Sequence, residues 1–405
     1  MNETDRIVIV GGGHAGAQLC SVLAEAGLGG RVDLVCEELE LPYQRPPLSK
    51  AFLEKADEPL QPLRGQAWYR DAGITVHLSD AVISIDREAR SVRLRSGAVL
   101  DYRRLVLATG TRARRLPHLP DGLHNVASLR TSADAQRLRQ QIMEAGSVTV
   151  LGGGFIGLEI AATARALGKP VSVFEAASRL LTRSVSAELA EHVRQTHLAA
   201  GIDLRLGVAA GGFVVDGERL VSLQVDGHAE PVELLVLGVG AVSEHALASE
   251  AGLHCENGIV VDAFMRTSDS SILAIGDCAM FPESRSGRSL RLESVQNAND
   301  QARTAAATLA GREEPYRALP WFWSEQGSMR LQMAGLMPAD GVRHRRPGAT
   351  RTSFSILHYL GDELVCVESI NAPIDHMAAR KLLEAKVSPA PALACDPAIA
   401  LKAHL

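Results

Sequence analysis

Two sets of glycines in this sequence have the spacing needed to hold a dinucleotide. Gly11, Gly13 and Gly16 stand as G-x-G-x-x-G within "IVIVGGGHAGAQLC", and Gly152, Gly154 and Gly157 repeat the pattern within "VTVLGGGFIGLEIA". One glycine of such a motif makes a tight turn, one lets the backbone approach a pyrophosphate, and one allows close helix–strand packing. The helix that follows presents free N–H groups and the positive end of its dipole to the phosphates. An acid about 20 residues further on can bind ribose hydroxyls, and Glu37 and Glu175 hold that place in the two units. A carboxylate at 175 would bind a 2′-hydroxyl and repel a 2′-phosphate, which favours NADH over NADPH. Arg179 is the counter-signal, since an arginine there can accept that phosphate. A further carboxylate, Asp277, caps the apolar run "ILAIG", at the end of a strand where open α/β sheets place their ligands.

The elements that must carry these residues are legible. Arg6–Val10 and "SVTVL" are β-branched apolar runs of the kind expected for parallel strands buried on both faces. Each leads through its glycine turn into a helix rich in small residues, and "RVDLVCEE" and "KPVSVFE" close the two βαβ units. "RRLVLATGTRAR" (103–114) is a strand with a small-residue exit. "ESVQNANDQARTAAATLAG" (293–311) predicts a helix that opens on polar residues, and its N-terminus suits a reduced, anionic ring system. The first nucleotide unit is thus completed by chain that returns after the second. From about Trp321 the character changes. "FSILHYLGDELVCVESIN" (354–371) predicts two strands around a Gly361–Asp362 turn, "DHMAARKLLEAK" (375–386) predicts a helix, and "WFWSEQ" concentrates two of the three tryptophans. The expected fold class is α/β: two Rossmann-like dinucleotide-binding domains, one inserted in the other, plus a small C-terminal α+β domain. The expected boundaries are 1–111 with 243–320, 112–242, and 321–405.

The totals exclude several classes. Apolar residues make up 46% of the 405, enough for a full core, and the net charge of −5 argues against a surface built to hold nucleic-acid phosphates. Six cysteines without CxxC or zinc spacing are expected to be reduced thiols of a cytoplasmic protein. The polar start "MNETDR" leaves no room for a signal peptide, and no apolar run approaches the roughly 20 residues of a membrane helix. Neither a Ser-His-Asp grouping, nor HExxH, nor a metal-ligand cluster is visible among the thirteen histidines, so no metal site is expected.

Seven motifs, in order along essentially the whole chain, carry a family resemblance: GGGHAG, "PYQRPPLSK", "LVLATGTRAR", GGGFIG, "AIGDCA", "ESVQNANDQA" and "WFWSEQ". With them the chain resembles the NADH-dependent, FAD-containing ferredoxin reductases of oxygenase systems, which have a glutathione-reductase-like architecture. "RPPLSK" with "WFWS" is specific to that branch, whereas paired glycine motifs mark the wider two-dinucleotide flavoprotein class. The resemblance implies that the first unit holds FAD, with Gly11, Gly13, His14, Ala15 and Gly16 at the pyrophosphate and Glu37 at the ribose. It places Lys50 beside the isoalloxazine, lined by Arg45 and Pro46. It adds Val82, Ala108, Thr109, Gly110, Arg130, Gly276, Asp277, Glu293, Ser294 and Val295 as FAD contacts. The NADH side would use Gly152, Gly153, Gly154, Phe155, Ile156, Gly157, Glu159, Glu175 and Gly238. One departure stands in the turn after "GVG", where relatives usually carry Pro-Asn and this chain has Ser243 and Glu244.

The same resemblance implies a chemistry. A nicotinamide gives up a hydride, an iron–sulfur cluster takes single electrons, and a flavin mediates between them. Lys50 and Glu159 are expected to form a buried ion pair, the lysine stabilising negative charge and the glutamate orienting the carboxamide. Phe155 is expected to cover the flavin until NADH arrives, and Trp321 or Trp323 to line its exit side. The expected partner is a small acidic [2Fe–2S] ferredoxin feeding a terminal oxygenase. "GVRHRRPG" (341–348), with Arg288, Arg291 and Arg330, is the candidate docking face. A disulfide reductase or NADH oxidase relative is disfavoured because "ELPYQRPPLSK" lacks a redox cysteine. A redox-sensing or scaffold flavoprotein of the apoptosis-inducing type is the other alternative.

Overall fold

The computed structural model describes residues 5–405, so Met1–Thr4 of the polar start lie outside the described residues. The chain folds as two compact units. The first takes the chain up to Gln44 with Leu60–Arg112 and Val242–Ala318; the second takes Arg45–Pro59, Ala113–Ala241 and Leu319–Leu405.

In the first unit, five parallel strands of the described residues run in the order Ile272–Ala274, Arg104–Leu107, Ile7–Val10, Val32–Val35, Thr75–His77. Every residue of Ile7–Val10 and Val32–Val35 is buried, and the one polar side chain among them, Asp33, is paired with Arg6 at 2.5 Å and His77 at 3.1 Å. Ile272–Ala274 pairs with Arg104–Leu107, so chain returning after the second nucleotide unit completes the first sheet. The helix His14–Glu25 packs along the helix Val295–Leu309. Their buried faces carry Ala15, Gly16 and Ala17 on one and Ala298, Ala302, Ala305 and Ala306 on the other, small side chains that let two axes approach closely.

In the second unit the parallel sheet of described residues runs Asp203–Leu206, Val171–Glu175, Val148–Leu151, Leu234–Leu237, Val126–Ala127. The C-terminal region forms an antiparallel sheet in the order Trp321–Gln326, Met329–Gly335, Glu363–Ile370, Phe354–Leu360, Val342–Pro347. The expected hairpin closes at Gly361–Asp362, with Gly361 at φ +59°, a left-handed backbone that favours glycine. The helix Pro373–Ala385 covers this sheet, and its Ala378, Ala379, Leu382 and Leu383 share a core with Leu357, Tyr359, Leu364 and Val367. Each large aliphatic side chain buried there contributes about 1.5–3 kcal/mol. Among the described residues no helix is long and apolar enough to cross a membrane.

Arg45–Pro59, which carries "RPPLSK", packs with the second unit rather than with the chain on either side of it. Its ties are specific: Thr163 Oγ1 donates to Ser49 O at 2.8 Å, and the Arg139 guanidinium sits 4.7 Å above the Phe52 ring.

Candidate functional site

The first glycine turn is sterically obligatory. Gly11 sits at φ +117°, and a Cβ there would lie 2.2 Å from Ala108 O; a Cβ at Gly16 would lie 2.1 Å from Gly11 O. Gly13 caps the helix His14–Glu25 from an extended backbone, and a Cβ there would meet nothing within 4 Å. That open space at the helix N-terminus fits a pyrophosphate. His14 Nε2 bonds Gln44 Oε1 at 3.1 Å. Ala15 abuts Gly276, whose N–H donates to Gln301 Oε1 at 2.7 Å; this brings the Gly276–Cys278 turn, and with it Asp277, to the helix start. Thr109 Oγ1 donates to Glu244 O, so the departure at Ser243–Glu244 keeps a backbone contact to the "ATG" turn. Ser294 caps the helix Val295–Leu309 by accepting Asn297 N–H at 3.0 Å, and Glu293 pairs with Arg291 at 2.7 Å. Val82 opens the strand Val82–Asp86. Glu37 is two-thirds exposed and paired with Arg95 at 2.8 Å, facing solvent at this turn's edge.

The second turn repeats the construction. Gly152 sits at φ +103° with a would-be Cβ 2.4 Å from Gly238 O, and a Cβ at Gly157 would lie 2.4 Å from Gly152 O. At Gly154 the nearest atom would be Gly238 O at 3.7 Å, so this turn too leaves room for phosphate. Glu175 accepts Gly153 N–H at 2.6 Å on one oxygen and Ala177 N–H at 2.7 Å on the other, each oxygen keeping a lone pair for a ribose hydroxyl. Arg179 is turned into its own loop, donating to Val185 O at 2.8 Å and Thr182 O at 2.9 Å. Its guanidinium is thus bonded within its own loop, which weakens the counter-signal for a 2′-phosphate. Ile156 stands 47% exposed on the first turn of the helix Phe155–Ala166.

That helix carries a buried polar cluster around Glu159. Phe155, Glu159 and Thr163 follow at i, i+4, i+8 and so share one face. Glu159 is buried, and Lys50 Nζ lies 2.7 Å from its Oε2. Ser49 Oγ donates to the same oxygen. Oε1 accepts Ser324 Oγ–H at 2.7 Å and Glu325 N–H at 3.3 Å. Four donors therefore meet the carboxylate, and Lys50 spends its other N–H groups on Pro46 O at 3.1 Å and Ser49 Oγ at 3.4 Å. Arg45 donates to Arg130 O at 2.7 Å, fixing the start of the same segment.

The strand Trp321–Gln326 supplies the rest by its period of two. Phe322, Ser324 and Gln326 point one way and meet Phe155, Glu159 and His197 in turn: a T-shaped ring pair at 4.9 Å, the 2.7 Å bond above, and a 2.9 Å bond from His197 Nε2 to Gln326 Oε1. Trp321 and Trp323 point the other way and stack at 5.7 Å, with Arg380 4.2 Å above Trp321. Sequence reasoning missed Ser49, Thr163, Ser324, Gln326 and His197. The alternation within "WFWSEQ" is the one local signal that pointed to two of them.

Two arginines of the expected docking face are corrected. Arg346 is 5% exposed, pairs with Asp375 at 3.0 Å and donates to Ala394, Asp396 and Ile399 carbonyls, so it clamps the C-terminal chain. Arg291 is 10% exposed and bonded to Asp277 O and Glu293. All six cysteines are free. Burial pushes the Cys36 thiol, at the end of the first unit's second strand, up to about 12, which keeps it protonated and unsuited to disulfide chemistry.

Comparison with known proteins decides the family. The model described as pyridine nucleotide-disulphide oxidoreductase matches residues 5–302, and one described as reductase C-terminal matches residues 321–405. The chain belongs to the pyridine nucleotide-disulphide oxidoreductase family. Within that family it is 41% identical to rhodocoxin reductase of Rhodococcus erythropolis, over 98% of this chain and 93% of the relative. It is 43% identical to terpredoxin reductase of Pseudomonas sp, over 94% and 93%. Among solved structures, the ferredoxin reductase for the CYP199A2 system from Rhodopseudomonas palustris superposes with a TM-score of 0.95 at 42% identity, covering 99% of both chains. The reductase of the covalent putidaredoxin reductase–putidaredoxin complex gives a TM-score of 0.94 at 35% identity, over 100% of this chain and 98% of the other.

Proposed function

We propose that this oxidoreductase takes electrons from NADH through a resident FAD and delivers them to a [2Fe–2S] ferredoxin that serves an oxygenase. The observation that carries the reading is the pair of glycine cradles in one chain, each closed to any side chain at the turn and open at the helix N-terminus. Similarity to reductases of redox partner proteins over nearly the full length supports the acceptor. Bound FAD supplies the redox chemistry, accepting two electrons together and releasing them singly.

The chain's own residues do the rest. Lys50 holds a cation whose direction is set by Glu159, Pro46 and Ser49, preorganised to stabilise negative charge that grows nearby. Glu159 is kept an acceptor by four donors, and a nicotinamide carboxamide bonded there takes the place of the Glu325 amide, the longest of the four contacts at 3.3 Å. Glu175 binds the adenosine ribose. Glu175→Ala lowers the preference for NADH over NADPH, read as the ratio of kcat/KM values, by about tenfold, the worth of one charged hydrogen bond. An unchanged ratio would contradict the assignment. A cytoplasmic location accords with the free thiols, and exposed Arg343 accords with an acidic ferredoxin.

The reading is tested by mixing the purified holoprotein with NADH and a panel of [2Fe–2S] ferredoxins and following cluster bleaching. At least one acidic ferredoxin is reduced in catalytic turnover, whereas reduction of small disulfides alone would overturn the reading.

A further inference from the structure

The Lys50–Glu159 pair is the end of a longer buried chain whose hydrogen bonds all run one way. His197, on the helix Ala187–Ala199, is 2% exposed, and its Nε2 bonds Gln326 Oε1 at 2.9 Å. An amide oxygen only accepts, so His197 must carry its proton on Nε2. Gln326, 1% exposed, then has its NH2 group aimed at Ser324 Oγ, to which it donates at 3.1 Å. With that lone pair filled, the Ser324 hydroxyl proton is committed to Glu159 Oε1 at 2.7 Å. Burial holds the His197 ring below the ordinary histidine range, so it stays neutral and keeps a single N–H to give. Reversing the Gln326 amide would put its oxygen toward Ser324, which would then donate to Gln326 and leave Glu159 with one donor fewer. The histidine's Nε2–H is what makes that reversed state costly, since two N–H groups would face each other.

We propose that His197 is a positioning residue for hydride transfer: through the orientation of the Gln326 amide it commits the Ser324 proton to Glu159, holding that carboxylate as the fixed acceptor for Lys50. The proposal rests on the reading of Lys50 and Glu159 as the groups at the nicotinamide.

Five variants and one spectrum test it. Ser324→Ala removes the last link, His197→Leu removes the first, and Gln326→Glu keeps the shape of the middle link while abolishing its donation to Ser324. Each slows flavin reduction by NADH in stopped flow about tenfold, the scale of a lost hydrogen bond to a charged group, with the NAD+ dissociation constant within about twofold of the parent. His197→Gln, which places an N–H near the position of Nε2, regains most of the rate lost in His197→Leu. In 15N spectra of the histidine-labelled protein, read with and without FAD and assigned by the His197→Gln difference, His197 shows the neutral Nε2–H tautomer. An Nδ1–H tautomer, or a His197→Leu rate equal to the parent while Ser324→Ala is slow, overturns the relay and leaves the Lys50–Glu159 reading standing. An unchanged rate in Glu159→Gln instead overturns that reading, and with it the relay's catalytic role.

Discussion

Lys50→Ala slows flavin reduction by NADH about 100- to 1000-fold, the scale on which removing one preorganised donor acts in other active sites. The expectation comes from what remains. Glu159 is 5% exposed at its side chain, and without Lys50 it keeps only neutral donors around a buried negative charge. Breaking a buried pair by removing one partner costs about 3–5 kcal/mol of stability. The same substitution therefore lowers the melting temperature as well as the rate, and the two effects need separating. Lys50→Met combined with Glu159→Gln does so. The double variant leaves no unpaired buried charge and regains most of the stability lost in Lys50→Met, yet stays slow because the cation is still missing. A double variant that recovers the rate along with the stability would show that the pair serves folding alone. A rate for Lys50→Ala equal to the parent would remove the lysine from the chemistry.

Gly11→Ala yields a protein purified without flavin, whereas Gly152→Ala yields a yellow protein that NADH bleaches only at far higher concentration. At both positions the backbone is left-handed, at φ +117° and +103°, which costs a side chain about 1–3 kcal/mol. At both, the new Cβ would also lie within 2.4 Å of a backbone carbonyl oxygen, Ala108 O for the first and Gly238 O for the second. Neither oxygen belongs to a flexible side chain, so the strand ends must move apart and the cradle opens. The two cradles lie in different units of the chain, so each lesion is local to one nucleotide. In Gly152→Ala, dithionite still reduces the flavin, while the concentration of NADH needed rises by more than about 100-fold, the effect of losing roughly 3 kcal/mol of binding. The reverse pattern, a colourless Gly152→Ala or a fully yellow Gly11→Ala, would exchange the two nucleotide assignments.

Residues whose role is local were open to reading from the sequence. The glycine turns are set by steric demands within a few residues, and the strands before them by apolar runs that need no partner to be recognised. The return of the chain at Ile272–Ala274 to finish the first sheet could be inferred because "ILAIGD" has the form of a buried strand ending in a ligand-side acid. What could not be read is what the fold assembles from distant positions. Ser49, Ser324, Gln326 and His197 are ordinary residues in sequence; the packing of the strand Trp321–Gln326 against the helix Phe155–Ala166 aims Ser324 at Glu159, Ser49 reaches the same carboxylate from Arg45–Pro59, and His197 joins through Gln326. The basic run "GVRHRRPG" divides for the same reason. Neighbours on a strand point to opposite faces, so Arg345 reaches Glu188 at the surface while Arg346 turns inward to the C-terminal carbonyls. Arg179 is the converse case, where the sequence left two meanings open and the guanidinium donates to the Thr182 and Val185 carbonyls.

Whether this chain turns paired electrons into single ones is read in an anaerobic single-turnover titration. Holoprotein is mixed with an excess of an oxidised acidic [2Fe–2S] ferredoxin that it reduces, and limiting NADH is added while nicotinamide, flavin and cluster absorbance are followed together. Two clusters are reduced for each NADH consumed, and none when the flavin has been stripped. Flavin that bleaches fully with NADH while every cluster stays oxidised, or clusters reduced equally well by flavin-free protein, would contradict it.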